Sequence, residues 1–214
     1  MDLKMFDRME SEVRGNIRSF PVIFSQARGS TLIDEDGTEY IDFFSGAGTL
    51  NYGHNNPVLK EKLLEYVQSD GVVHGLDMAT SAKKRFLETV DRVLLKPRNW
   101  QYTLQFTGPT GTNAVEAALK IARQVKGRPN VISFTHGFHG VSGGSLAATA
   151  NMKFRDAAGY ALGNTTFMPY DGYFGPDVDT MSYLERMLED PSSGMDKPAA
   201  VIVETVQGEG GVNV

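Results

Sequence analysis

The chain has 214 residues, 41% apolar and 22% charged, which is enough to build a core and unlike a disordered segment. Lys plus Arg number 21 against 26 Asp plus Glu, a formal charge of −5, so there is no cationic surplus to meet nucleic-acid phosphates. With no cysteine, disulfides, thiolate nucleophiles and cysteine-held metal centres are excluded together.

The opening, MDLKMFDRMESEVRG, is charged throughout and lacks the apolar stretch of a signal peptide. Residues 1–20 read as a polar, partly helical lead-in. Thr31-Leu32-Ile33 and Glu39-Tyr40-Ile41 flank Asp34-Glu35-Asp36-Gly37, a hairpin in which Gly37 supplies the positive φ of a tight turn. Residues 45–57 form a loop of small and polar residues. Pro57 suits the first turn of a helix carrying Leu59, Leu63, Leu64 and Val67, and residues 80–95 repeat that spacing with Phe86, Leu87, Val90, Val93 and Leu94 until Pro97 stops it.

From Thr103 the rhythm changes to strands alternating with helices. Thr103-Leu104-Gln105-Phe106 reads as a strand, residues 108–112 as a turn, and Val115, Ala118, Leu119, Ala122 and Val125 as one helix face closed by Gly127 and Pro129. Val131-Ile132-Ser133-Phe134 is the next strand and residues 136–145 a loop. Thr166-Phe167-Met168 is a further strand, residues 181–188 a helix and residues 199–204 an apolar strand. The alternation predicts an α/β fold with parallel βαβ units. The longest aliphatic run, Ala199-Ala200-Val201-Ile202-Val203, is far short of the ~20 residues a membrane helix needs, so a soluble cytoplasmic protein is expected. The chain stops in a loop beyond a buried-type strand, and a piece of a longer protein is expected.

Four strand-end segments carry candidate chemistry. Gly108-Pro109-Thr110-Gly111-Thr112-Asn113 joins a strand to a helix, where free N–H groups and the helix dipole suit an anion. A glycine turn with a threonine cap is the plainer alternative. In His136-Gly137-Phe138-His139-Gly140 an aromatic among glycines suits a planar ligand. The two histidines also suit a metal pair, but no third ligand accompanies them, and a structural histidine is the plainer role for His136. Gly140-Val141-Ser142-Gly143-Gly144 fits the hydrolase elbow pattern, but all four histidines precede Ser142, against the order of that triad. Glu204 and Glu209 are either solvated loop charges or a carboxylate pair of glycosidase type.

A phosphate cup, an aromatic platform and carboxylates on successive strand ends resemble the class III, fold-type I, pyridoxal-phosphate-dependent aminotransferases. The resemblance covers nearly the whole chain. It rests on the hairpin around Asp34-Glu35-Asp36-Gly37, on Asn51-Tyr52-Gly53-His54 with Pro57, on Thr110 to Ala118, on Phe138-His139-Gly140 and on Glu204 to Gly211. Further matching segments are Arg8-Met9-Glu10-Ser11-Glu12-Val13-Arg14, Arg18-Ser19-Phe20-Pro21, Gly46 to Leu50 and Asp70 to Met78. The resemblance implies amino transfer from glutamate to the aldehyde of aspartate 4-semialdehyde. It implies residues 1–55 as an N-terminal segment and 56–214 as the first part of the cofactor-binding large domain.

Carried over residue by residue, the resemblance implies pyridoxal 5'-phosphate held by Thr110, Gly111, Thr112, Phe138, His139 and Glu204. Gly111 and Thr112 would bind its phosphate, Phe138 would stack on its ring with His139 alongside, and Glu204 would lie near the ring's active face. Glu209 would be a gate carboxylate, and Ala47 and Gly48 would face substrate. The Schiff-base lysine, the aspartate facing the pyridine nitrogen, the gate arginine and the C-terminal domain are expected beyond Val214, so the chain as given is expected to be inactive by itself. The working form is expected to be a homodimer or higher homo-oligomer with small-molecule substrates. If the lysine were absent altogether, the alternative is a non-catalytic phosphate-ester-binding protein.

Overall fold

A computed structural model of the chain describes residues 3–11 and 20–214. The chain forms two compact units, Met1–Gln101 and Tyr102–Val214. Of the expected lead-in, α1 (Lys4–Met9) is a helix, whereas residues 1–2 and 12–19, with most of the Arg8 to Arg14 and Arg18 to Pro21 matches, lie outside the described residues.

The first unit holds an antiparallel sheet in the order β1 (Phe24–Arg28), β2 (Thr31–Asp34), β3 (Glu39–Ile41). The expected hairpin forms between β2 and β3, with Thr31 opposite Ile41 and Ile33 opposite Glu39. Asp34 is its organiser. Its Oδ1 accepts the N–H groups of Asp36 at 2.9 Å and Thr38 at 2.8 Å, Oδ2 accepts the Tyr40 hydroxyl at 3.0 Å, and Gly37 turns the chain at φ +85°. Strand β1 was not expected, because its residues, FSQAR, show no clean alternation and its pairing with β2 is broken by a register shift between Phe24 and Gln26.

Residues Ser45–Gly48 (α2) make one left-handed turn, with φ positive at all four positions. Helix α3 (Pro57–Gln68) starts on Asn56, whose side chain accepts the Val58 and Leu59 N–H groups, with proline in its first turn. Helix α4 (Ser81–Val90) is capped by Thr80 and runs on through a wider turn at 91–95 and a tight one at 96–98. Pro97 therefore does not stop the helix. It sits inside the final tight turn, and left-handed Asn99 (φ 52°) ends the path.

The second unit holds a parallel sheet in the order β5 (Thr165–Met168), β4 (Val131–Phe134), β6 (Ala200–Val201), with β4 buried at every position. Helix α5 (Gly111–Lys126) starts on Thr110 and ends on left-handed Gly127, as expected, and buries Leu119. Helix α8 (Thr180–Glu189) starts on Asp179 and packs Leu184 into the cluster of Ile132, Phe134, Met168 and Tyr170.

Three further expectations need correction. Residues 103–106 belong to neither sheet: local β propensity does not make a strand without a neighbour to complete its ladder. The strand expected at 199–204 is ladder-paired only over Ala200–Val201, with Ala199 and Ile202 N–H bonds to Asn130 and Ile132 extending it, and its valines 201 and 203 are half exposed because one face lacks a covering layer. The loop expected at 136–145 ends early, in α6 (Gly143–Ala148), followed by α7 (Met152–Arg155).

Candidate active site

The phosphate-cup candidate is the start of α5. Thr110 accepts the Asn113 N–H at 3.2 Å on its own hydroxyl oxygen, which caps the helix. The N–H groups of Gly111 and Thr112 in the first turn have no intrahelical partner. Gly111 is exposed, and nothing lies within 4 Å of where a Cβ would stand. This leaves two aligned donors without an intrahelical acceptor at the positive end of a sixteen-residue helix. The Thr112 hydroxyl is not open: it hydrogen-bonds the Ser145 hydroxyl and lies 3.3 Å from that of Ser142.

The candidate platform follows β4. Phe138 is half-buried, and its ring meets Phe154 edge-on with centroids 5.3 Å apart. Its N–H donates to Glu204 Oε2 at 2.9 Å, and the His139 N–H donates to Thr149 Oγ1 at 2.9 Å. Burial holds the His139 imidazole below its ordinary pKa, with the Glu204 carboxylate partly opposing, so the ring is neutral at neutral pH. Gly140 adopts φ +131°, and a Cβ there would overlap Thr112 Oγ1. Glycine is required at this point because the platform loop passes directly against the cup. His136 instead packs its ring on Tyr173, centroids 5.6 Å apart.

The third loop follows β6. Glu204 is half-buried and spends one oxygen on the platform backbone, while Tyr170 donates from its hydroxyl to the carbonyl of Glu204 at 3.1 Å. Gln207, 1% exposed, donates to the Thr135 carbonyl at 2.8 Å and accepts from Asn213 Nδ2 at 3.0 Å. Its backbone exchanges hydrogen bonds with Asn213, closing a small ring on which Glu209 stands exposed. The second unit thus brings Thr110, Gly111, Thr112, Phe138, His139 and Glu204 onto three contacting loops.

Ala47 and Gly48 lie in the first unit, on the exposed left-handed turn. That turn is held by Asp42, whose Oδ1 accepts the Phe44 and Ser45 N–H groups at 2.8 and 2.9 Å and whose Oδ2 pairs with His54 Nε2 at 2.7 Å. The Ser45 N–H bond and the His54 contact hold the Asp42 carboxyl below the usual carboxylate range. Ser142 is no nucleophile elbow: it is the N-cap position of α6, and no histidine hydrogen-bonds it among the described residues. Ser145, Thr149 and Asn213 were not singled out by the sequence, and Gln207 stood only within the Glu204 to Gly211 match. The serine three residues after Ser142 at a helix start was the one available signal, for Ser145.

The class-III aminotransferase family matches residues 13–214. The chain belongs to that family. A diaminobutyrate–2-oxoglutarate transaminase of Bordetella parapertussis is 91% identical over all 214 residues, and the chain spans about half the length of such curated relatives, 49% of this one. An S-selective transaminase of Arthrobacter sp., solved with alanine bound, superposes on 97% of this aminotransferase chain and on 49% of its own length, with TM-score 0.81 and 27% identity. An ornithine aminotransferase of Toxoplasma gondii, with PLP at partial occupancy in its active site, superposes on 99% of this chain and 46% of its own, with TM-score 0.75 and 26% identity. Among the described residues no helix is long and apolar enough to cross a membrane.

Proposed function

We propose that the whole protein is a pyridoxal-phosphate-dependent aminotransferase acting between L-glutamate and L-aspartate 4-semialdehyde, giving 2-oxoglutarate and L-2,4-diaminobutyrate for ectoine biosynthesis. The observation that carries the reading is the contact of cup and platform at Gly140 against Thr112, within a chain of this family. The substrate pair follows from the 91%-identical relative, which is named for diaminobutyrate and 2-oxoglutarate. Replacing the terminal CH2–NH2 of diaminobutyrate by CH=O gives the 4-semialdehyde, and the reciprocal replacement of the 2-oxo group of 2-oxoglutarate by H and NH2 gives glutamate.

The residues present fit the cofactor. Its phosphate dianion needs aligned donors, and the first-turn N–H groups of Gly111 and Thr112, which have no intrahelical partner, supply them. Its flat ring needs an apolar face, and Phe138 offers one that is braced by Phe154. When bound, pyridoxal phosphate supplies the aldehyde and electron-withdrawing ring through which an amino group passes from one substrate to the next. Glu204 fixes the platform backbone and, with neutral His139, sets the polarity beside the ring. Glu209, exposed on the third loop, is proposed to contact substrate, as are Ala47 and Gly48 on the left-handed turn. Residues 1–55 are proposed as the N-terminal segment and 56–214 as the first part of the large domain of a cytoplasmic homodimer, in line with the family.

The test is an assay of the whole protein with pyridoxal phosphate, L-glutamate and aspartate 4-semialdehyde, products separated by chromatography. Equal amounts of 2-oxoglutarate and 2,4-diaminobutyrate are expected. Turnover with ornithine or 4-aminobutyrate but not with diaminobutyrate would overturn the substrate assignment. Binding of phosphate esters without any amino transfer would overturn the activity.

A further inference from the structure

We propose that Ser145 and Thr149 are positioning residues that hold the phosphate cup and the ring platform at a fixed separation, with α6 as the splint between them. The inference rests on the cofactor reading above. The two residues are one helical turn apart, and both are 0% exposed. Each reaches a different candidate cofactor loop: Ser145 meets Thr112 of the cup, and Thr149 meets His139 and Gly140 of the platform.

Proton accounting makes the arrangement directional. Ser145 Oγ lies 2.6 Å from the Ser142 carbonyl, which only accepts, so the Ser145 proton goes there. The Ser142 N–H donates to Ser145 Oγ at 3.3 Å. Thr112 must then donate its own hydroxyl proton to Ser145. That proton is unavailable to a phosphate, and Thr112 is left with its backbone N–H as the donor facing the cup. Thr149 accepts the His139 N–H at 2.9 Å and donates to the Gly140 carbonyl at 2.8 Å, with the Ser145 carbonyl at 3.1 Å as its other acceptor. One buried hydroxyl therefore fixes the Phe138–His139 and Gly140–Val141 peptide groups, on either side of His139.

The splint is itself anchored. Glu116 of α5 accepts the Ser145 N–H at 2.9 Å, and Ser133 of β4 donates to the Ala148 carbonyl at 2.6 Å. Arg155 donates to the carbonyls of Ala147 at 3.0 Å and Thr149 at 2.8 Å. Helix α6 is thus tied to both elements that present the candidate cofactor contacts, and neither loop shifts without breaking a hydrogen bond to Ser145 or Thr149.

The experiment compares whole-protein Ser145→Ala, Thr149→Val, Thr149→Ser and Thr112→Val with the parent. Three quantities are read: the pyridoxal phosphate dissociation constant from visible absorption, the circular dichroism of the bound cofactor, and Tm. Ser145→Ala and Thr149→Val are each expected to weaken cofactor binding roughly tenfold and to reduce the dichroic band, the scale of one lost buried hydrogen bond. Thr149→Ser is expected to restore affinity to within about twofold, since the hydroxyl remains. Thr112→Val is expected to match Ser145→Ala and to be non-additive with it, because both break one contact. That pair keeps the test decisive should Thr149→Val not fold. Lower Tm with unchanged affinity and dichroism in the variants would overturn the inference, as would full additivity of Thr112→Val with Ser145→Ala. A parent protein that binds no pyridoxal phosphate would instead overturn the cofactor reading beneath it.

Discussion

Phe138 and His139 are adjacent, yet they answer to different forces. Phe138 offers a ring face, and replacing it with alanine is expected to weaken pyridoxal phosphate binding by about 1–3 kcal/mol. A titration of the whole-protein variant checks this, and unchanged affinity would remove Phe138 as the platform. His139 is held neutral by burial, with Glu204 partly opposing. Its folded pKa lies below the ordinary ~6.5, so the unfolded chain binds the extra proton first. Stability is therefore expected to fall as pH drops below about 6.5, and this increment is expected to vanish in His139→Asn, measured by thermal melts of the cofactor-free whole protein. The glycines around Phe138 single it out in the sequence. Thr149 carries no such mark, and the helix-start spacing of Ser142 and Ser145 does not reveal that Ser145 reaches Thr112: a buried hydroxyl that ties two loops looks, in sequence, like any small residue in ATA or GGS.

At the scale of elements, termini were legible where a side chain or a glycine satisfies local geometry. Thr110, Gly127 and Pro57 took the cap and first-turn positions their chemistry favours. Apolar spacing located α5 but could not say which of its residues meet other layers. Leu119 is 2% exposed, whereas Val125, on the same expected face, is 74% exposed. Leu119→Ala is accordingly expected to cost about 2–4 kcal/mol in urea unfolding of the whole protein, and Val125→Ala less than about 0.5 kcal/mol. Equal losses would mean that the face is covered along its whole length. The failure at 103–106 has the same root. Pairing across a sheet depends on a neighbour that a local window does not contain, and the broken register of β1 hid that strand for a related reason.

At the scale of the molecule, the family and the order of the loops were legible because five motifs fall in sequence along one chain. Leu59, Leu63 and Leu64 on α3 and Phe86 on α4 are each at least half exposed. These apolar faces make the whole protein, rather than residues 1–214 alone, the proper sample for any test of the site. The most direct measurement is a titration of the cofactor-free whole protein with pyridoxal phosphate, followed by visible absorption and then by addition of glutamate. Saturable binding of one cofactor per chain and a spectral change when glutamate is added are expected. A protein that folds cooperatively and binds no pyridoxal phosphate would overturn the cofactor reading.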